Sequence, residues 1–389
     1  MSFSDDFPLH SYSSEHDFIA SLNDSFQSLT FNNNNNNNAS ALSEPKPKPK
    51  PKSSDHRRTK KRSDSDEYDA CGHPEIQDNK CTHCKKKLLD DNFGVSFSYV
   101  RKGLRLSHKE IARLRDVQSH EKLKNKKLVL VLDLDQTLIH VTTLLDKPTS
   151  SKAKPSKTLK DQFILNSIQK TVKLRPFRTA ISQRSEYDVR VYFGSRIISR
   201  DDSPRSDQKS LDLVLAPERM VLVLDDTEEV WMNHKPNLVS IERYNYFGSM
   251  VDESETECAL VKSLRVLKLV HGLFFHKKLE VGLVLRDVRV ILRSLRGEVL
   301  KGCNLFFSDL GSENGSRLCA MAEELGAMRG MELEESVTHV VSLVVGSEEC
   351  RWAEQEKKFL VHPSWVELAY YMFERMPEQN FLISLKKFR

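Results

Sequence analysis

Two five-residue apolar runs stand out against a polar chain, Leu128-Val-Leu-Val-Leu132 and Met220-Val-Leu-Val-Leu224. Each is too short for a helix and rich in strand formers, which predicts a strand buried on both faces, as in a parallel sheet. Each run ends in acids: Asp133-Leu-Asp135-Gln-Thr137 after the first and Asp225-Asp226 after the second. Residues just past the carboxyl ends of adjacent parallel strands converge in one crevice. Four carboxylates are therefore expected to meet there.

Around these runs the pattern predicts helices. Ser107-x-x-Glu110 is a capping box, and Ile111, Leu114 and Val117 follow it among basic residues. From Glu257 to Phe275, apolar positions 260, 264, 267 and 270 lie opposite Lys262, Arg265 and Lys268, an amphipathic helix. Val284, Val288, Ile291 and Leu295 mark another. Beyond Gly297 strand runs (Leu305-Phe-Phe, Thr338-His-Val-Val341, Lys358-Phe-Leu-Val361) alternate with helical stretches, so a second α/β domain is expected. The predicted organisation is a tail over 1–69, a Cys/His knuckle with a helical lead-in over 70–122, a first α/β domain over 123–296, and the second over 297–389.

Composition sharpens this picture. With 389 residues, 30% charged and 39% hydrophobic, the chain has room for two domains and a polar remainder. The remainder is the N-terminal tail, which holds an Asn run (Asn32 to Asn38), alternating Pro-Lys (Pro45 to Lys52) and a basic cluster to Arg62, and is expected to be disordered. Pro45 to Arg62 carries nine Lys or Arg against one acid, a local +8, so the rest of the chain sums to -3 against an overall +5. The basic segment reads as a nuclear import signal, a polyanion-binding arm or a solvated linker. With no aromatic residues interleaved among its cations, direct nucleic-acid binding is not expected. No run of about 18 apolar residues and no secretory leader are visible, so no membrane association and an intracellular protein are expected.

Seven cysteines, an odd number, make a poor disulfide framework. Three of them cluster: Cys71-Gly-His73 and Cys81-Thr-His83-Cys84 are two ligand pairs separated by seven residues. Cys71, His73, Cys81 and Cys84 are thus candidate zinc ligands, free surface thiols being the alternative.

The clustered acids suggest a chemistry. Carboxylates that repel one another need a cation, and oxygen-only ligands suit Mg2+. Asp133 and Asp135, two apart on a strand, address one face. Asp133 is placed as a nucleophile toward phosphorus, Asp135 as general acid and base, Lys209 as the neutraliser of phosphoryl charge, and Asp225 and Asp226 as holders of the ion. A self-capped turn over Asp133 to Thr137 is the plainer alternative for that stretch alone.

This constellation resembles the haloacid dehalogenase superfamily. Asp133-Leu-Asp-Gln-Thr-Leu138, Lys173-Leu-Arg-Pro-Phe177, Arg196-Ile-Ile-Ser-Arg-Asp-Asp202, Gln208-Lys-Ser-Leu211, Leu224-Asp-Asp-Thr227 and Ile241-Glu-Arg-Tyr244 look like the Fcp-type phosphatases acting on the C-terminal domain of RNA polymerase II, and the order Cys/His knuckle, Fcp homology domain and terminal BRCT domain looks like their plant-type members. The resemblance implies a haloacid-dehalogenase-like parallel sheet with helices on both faces, and a nuclear, Mg2+-dependent phosphatase of the polymerase heptad repeats that works with the transcription machinery. It carries the nucleophile onto Asp133, acid/base onto Asp135, phosphate neutralisation onto Lys209, and the metal onto Asp133, Asp135, Asp225 and Asp226, with Thr137 supporting the loop. Leu300-Lys-Gly-Cys303, Val337-Thr-His-Val-Val341 and Val361-His-Pro-Ser-Trp365 resemble a BRCT domain, a small α/β fold, with Ser308 and Arg351 as candidate phosphate contacts or else a docking module without phosphate specificity.

One departure from the family pattern is visible. Only 19 residues, Phe177 to Ser195, separate Pro176 from Arg196, where the family places a helix, a strand ending in a Tyr-Thr-like pair and a second helix, for which about 25 residues or more are needed. The rival expectation is therefore a catalytically impaired adaptor that binds the phosphorylated polymerase tail.

Overall fold

The structure is a computed structural model, which describes residues 15–39, 71–88, 93–143, 162–165, 170–174, 196–203, 205, 207–244, 259–308 and 310–383, with backbone alone for 29–39, 139–143, 162–165, 170–174 and 312–313. The Pro-Lys stretch, the basic cluster and segment 177–195 lie outside the described residues.

In chain order, the elements are helix α1 (Glu15–Ala39), strands β1 (Glu75–Gln77), β2 (Lys80–Cys81), β3 (Val95–Ser96) and β4 (Leu104–Leu106), helix α2 (His108–Lys124) and strands β5 (Val129–Leu132), β6 (Ile139–Thr143), β7 (Gln162–Leu165), β8 (Lys170–Leu174), β9 (Val221–Asp225) and β10 (Leu238–Ser240). Helices α3 (Ala259–Phe274) and α4 (Val288–Arg296) follow. The C-terminal part holds β11 (Asn304–Ser308), α5 (Ser312–Glu324), β12 (Met328–Arg329), β13 (His339–Ser342), α6 (Glu348–Gln355), β14 (Phe359–Val361) and α7 (Ser364–Met372). Among the described residues, no helix is long and apolar enough to cross a membrane.

The two apolar runs become neighbours: β5 and β9 pair in parallel with Leu132 opposite Leu224, and β10 pairs in parallel with the other edge of β9, giving the order β10-β9-β5. The β9 strand is buried throughout, as its sequence predicts. The β5 strand is not. It lies at the edge of this sheet among the described residues, Leu130 is 45% exposed, and an apolar hollow of about 170 Å³ lined by Leu128, Val129, Leu130, Leu222, Leu267 and His271 opens beside it. The expectation of a β5 strand covered on both faces is corrected accordingly. The stretch between the runs adds an antiparallel sheet in the order β6-β8-β7, which the sequence pattern does not reveal.

The two amphipathic patterns after β10 are α3 and α4, although α4 begins only at Val288 and the expected Val284 lies before it, exposed in a 3-10 turn. The Ser107 hydroxyl caps α2 by accepting the Glu110 N–H, but the other half of the capping box is not made, since the Ser107 N–H donates to the Pro74 carbonyl and the Glu110 carboxylate takes Arg113. Helix α4 is capped by Asp287, which accepts from the Arg289 N–H. Both helices bury one face in the main core, with Val266, Val270, Phe274, Ile291 and Leu295 packed against Leu222 and Leu224.

The expected structureless tail is corrected over residues 15–39, which form helix α1. Phe18, Ile19, Leu22 and Phe26 enter the main core, and Asn23 is tied to the 276–280 turn by accepting from the Glu280 N–H at 3.0 Å. Those four positions share one helical face, so burying them outweighs the polar composition of the segment.

The C-terminal part is a four-stranded parallel sheet in the order β12-β11-β13-β14, with Trp365 fully buried, the small α/β fold that the BRCT resemblance implies. It is clamped to the first sheet by Arg296 at the end of α4. This buried guanidinium donates to the Leu238 carbonyl at 2.5 Å, lies over the rings of Tyr370 (5.4 Å) and Phe373 (5.2 Å), and sits 3.8 Å from Glu324. Lys235 meets Glu324 at 3.0 Å across the same seam. Gly326, at φ +88°, passes so close to the Gly297 carbonyl that a Cβ would lie 1.9 Å from its oxygen, so only glycine allows this approach.

Candidate active site

The register of β5 against β9 runs one residue past the strand, because the Asp133 N–H donates to the Leu224 carbonyl at 2.9 Å. That bond sets the two acidic strand ends side by side. Carboxylate oxygens of Asp133, Asp225 and Asp226 lie within 4.8 Å of one another. Asp135 is exposed and is not part of that cluster, so the expected meeting of four carboxylates is corrected to three. After Asp133 the chain turns sharply at Gln136 (φ +60°), whose carbonyl accepts the Tyr244 N–H, and this turn points Asp135 outward while folding Thr137 into the interior.

Lys209 joins the carboxylates. Its backbone N–H donates to the Val230 carbonyl at 2.8 Å, and its ammonium donates to Asp133 Oδ1 and to Asp225 Oδ2, both at 2.6 Å. Asp225 is buried and held on both oxygens: the Trp231 indole N–H reaches Oδ2 at 2.8 Å and the Thr227 N–H reaches Oδ1 at 2.9 Å. Asp226 accepts from the Thr137 hydroxyl at 3.1 Å, from Arg243 Nε at 2.8 Å and from the Thr227 hydroxyl at 3.2 Å.

Charge follows from this wiring. Burial, and next the neighbouring Asp225 charge, raise the Asp133 pKa above the ordinary carboxylate value, while the Lys209 ammonium and the Thr137 hydroxyl work against the rise. For Lys209 burial favours the neutral amine, but the bonds to Asp133 and Asp225 outweigh it and raise its pKa. Three carboxylates face two cations, Lys209 and Arg243, which leaves one negative charge on a donor set made only of oxygens. That donor set fits Mg2+.

Two contributors were not singled out from sequence as site residues. Arg243 lies in the quoted Ile241-to-Tyr244 motif, but only the fold brings its guanidinium back across 17 positions onto Asp226. Trp231, six residues after Asp225, is delivered by the single 3-10 turn Glu228–Trp231. An indole placed one turn after a paired acid is the available signal.

The knuckle also assembles. Ligand atoms of Cys71, His73, Cys81 and Cys84 all lie within 4.8 Å of one another, with Cys71 Sγ 3.7 Å from Cys81 Sγ and Cys84 Sγ 3.4 Å from His73 Nδ1. The two candidate phosphate contacts in the C-terminal domain are otherwise engaged. Ser308 is buried and donates to Glu349 Oε2 at 3.3 Å, while Arg351 is exposed with its Nε on the Ser347 carbonyl at 3.4 Å. A carboxylate against the Ser308 hydroxyl disfavours a phosphate there.

Comparison with known proteins gives the family of the chain. The chain is 41% identical over 370 residues to the Arabidopsis thaliana protein named RNA polymerase II C-terminal domain phosphatase-like 4, covering 82% of this chain and 83% of that one. It belongs to the RNA polymerase II C-terminal domain phosphatase family. A second Arabidopsis thaliana member, named RNA polymerase II C-terminal domain phosphatase-like 3, is 29% identical over 338 residues, covering 70% of this chain and 26% of that longer protein. Residues 183–276 match the family model described as NLI interacting factor-like phosphatase. The fission yeast phosphatase Fcp1 solved with beryllium fluoride shares the fold at a TM-score of 0.56 and 21% identity, covering 70% of this chain and 100% of that one. The phosphatase family is a family of hydrolases.

Proposed function

We propose that this protein is a nuclear, Mg2+-dependent protein-serine/threonine phosphatase that acts on the phosphorylated heptad repeats of the RNA polymerase II C-terminal domain, alongside the transcription machinery. The observation that supports this most is the Lys209 ammonium held at 2.6 Å from both Asp133 and Asp225 at the ends of the paired strands. A fixed cation beside a carboxylate is what attack on a dianionic phosphate ester requires, since two anions otherwise repel.

In this reading an Asp133 oxygen attacks phosphorus while the P–O bond to the serine oxygen breaks, giving an aspartyl-phosphate. Asp135, exposed two residues on, gives its proton to the leaving serine oxygen, then takes one from the water that hydrolyses the acylphosphate. Lys209 neutralises charge on the transferring group. Trp231 and the Thr227 N–H keep Asp225 aimed at Lys209, and Thr137 and Arg243 hold Asp226. Asp133, Asp225 and Asp226 would hold Mg2+, which, when bound, draws charge from the phosphoryl oxygens.

The test is Mg2+-dependent phosphate release from a phosphoserine heptad-repeat peptide by the full chain, with Asp133→Asn as control. Release that needs both Mg2+ and Asp133 supports the enzyme. The 19-residue span from Phe177 to Ser195 favours a second reading, an adaptor that binds the phosphorylated tail without hydrolysis. A folded chain that binds the peptide but releases no more phosphate than the Asp133→Asn control supports the adaptor instead.

A further inference from the structure

The Cys71, His73, Cys81 and Cys84 cluster has no part in the phosphoryl chemistry, yet its geometry is demanding. A tetrahedral zinc ion with Zn–S near 2.3 Å and Zn–N near 2.0 Å sets sulfur atoms about 3.8 Å apart and sulfur about 3.5 Å from nitrogen. The observed Cys71–Cys81 separation is 3.7 Å and the Cys84–His73 separation is 3.4 Å. A disulfide would bring two sulfurs to about 2.05 Å, so the spacing is that of coordination and not of a bond. Two tight turns produce it: Gly72 and His73 both have positive φ (+62° and +41°), and Lys85 follows Cys84 at +62°.

The surrounding module has little else to hold it. Strands β1 to β4 form one short antiparallel sheet, and the buried cluster attached to it is Phe97, Leu104, Leu106 and Ile111. A core that small stands in need of a staple, which a four-ligand metal site supplies as folding energy.

The module in turn grips the chain just beyond Lys209. The Tyr99 hydroxyl donates to the Leu213 carbonyl at 2.6 Å. Arg115, from the helix seated on the same cluster, donates to the carbonyls of Leu211 (2.9 Å), Asp212 (3.1 Å) and Val214 (3.1 Å), and Leu215 packs against Phe97 and its neighbours. Four carbonyls within six residues of Lys209 are thus held by two side chains of the Cys/His module. We propose that Cys71, His73, Cys81 and Cys84 bind one structural zinc ion, and that the zinc-built module is a clamp that fixes the 211–215 loop and through it the position of Lys209.

The test uses the full chain and needs no phosphatase assay, so its outcome is separate from that of the proposed activity. Zinc is counted by plasma mass spectrometry, the site is reconstituted with cobalt(II) to read thiolate-to-cobalt charge-transfer bands, and hydrogen exchange is followed at residues 211–215 before and after a zinc-selective chelator. The expected result is one zinc per chain, loss of the cobalt bands in Cys71→Ser and Cys84→Ser, and roughly tenfold faster exchange at 211–215 on chelation, reversed by added zinc. Tyr99→Phe serves where the cysteine variants do not fold: it should keep its zinc yet exchange faster at 211–215. A chain that carries no zinc and gives no cobalt bands overturns the metal site. A chain that loses its zinc with no change in exchange at 211–215 overturns the clamp.

Discussion

His339 offers a measurement whose size follows from the structure. Its ring is 1% exposed, stacked between Trp365 (centroids 4.6 Å apart) and Phe359 (5.0 Å), with Nε2 3.4 Å from Glu378 and Nδ1 2.7 Å from the Thr338 hydroxyl. Burial, opposed by the Glu378 bond and reinforced by the nearby Arg375 charge, lowers its pKa from 6.5 to about 4. Between those two values the unfolded chain binds a proton that the folded chain does not, so stability is fully present above pH 6.5 and is lost as the pH falls toward 4. The whole loss corresponds to about 3 kcal/mol, and at pH 5 about 2 kcal/mol of it has already gone. Urea denaturation of the full chain at pH 7 and pH 5, read by hydrogen exchange in β13, isolates the C-terminal sheet. His339→Gln removes the titrating group and keeps a side chain that bonds Thr338 and Glu378. The native chain should lose about 2 kcal/mol more than the variant on going to pH 5. Equal losses in the two would refute the reasoning.

Other perturbations test other joints of the structure. Arg296→Met removes the bond to Leu238 and the cation over Tyr370 and Phe373; it should cost about 2–4 kcal/mol and raise exchange in β10 and α7 together, and Arg296→Lys should not restore it. Phe18→Ala should destabilise the main core by about 3–5 kcal/mol in urea melts, far more than a substitution in a solvated tail. Trp231→Phe deprives buried Asp225 of one charge-assisted bond, so a loss of about 1.5–3 kcal/mol and slower phosphate release without loss of peptide binding are expected. Mg2+ should raise the melting temperature of the native chain, and Asp226→Asn should weaken that shift.

Much of this was visible in the sequence because it is local. The paired runs at 128–132 and 220–224, the Ser107 cap, helix α3, the apolar face of α4 and strands β11, β13 and β14 declare themselves in windows of a few residues, whereas the two-residue β12 gives no such signal. The acids at the strand ends were legible for the same reason, since a parallel sheet leaves them one place to go. Asp135 was misplaced because alternation along a strand assumes the strand continues, whereas the chain leaves the sheet at Asp133 and turns at Gln136. Helix α1 was hidden by composition: its face of Phe18, Ile19, Leu22 and Phe26 is diluted by acids, serines and the Asn run that follows. Arg243 and the clamp of Tyr99 and Arg115 on residues 211–215 join positions 17 to more than 100 apart in the chain, and no window of sequence shows such partners.

Phe18 and Phe373 lie in the same hydrophobic core as Leu222 and Leu224. A nascent chain therefore holds β5, β9, the knuckle and Lys209 before it can complete the core around the two strands, because Phe373 arrives just after helix α7. Until then the apolar faces of α3 and α4 are open to chaperones and proteases. A chain cut short between Asp226 and Phe373 keeps every acid of the crevice but leaves the main core without Phe373. For this protein, synthesis through Phe373 is a condition of a complete main core.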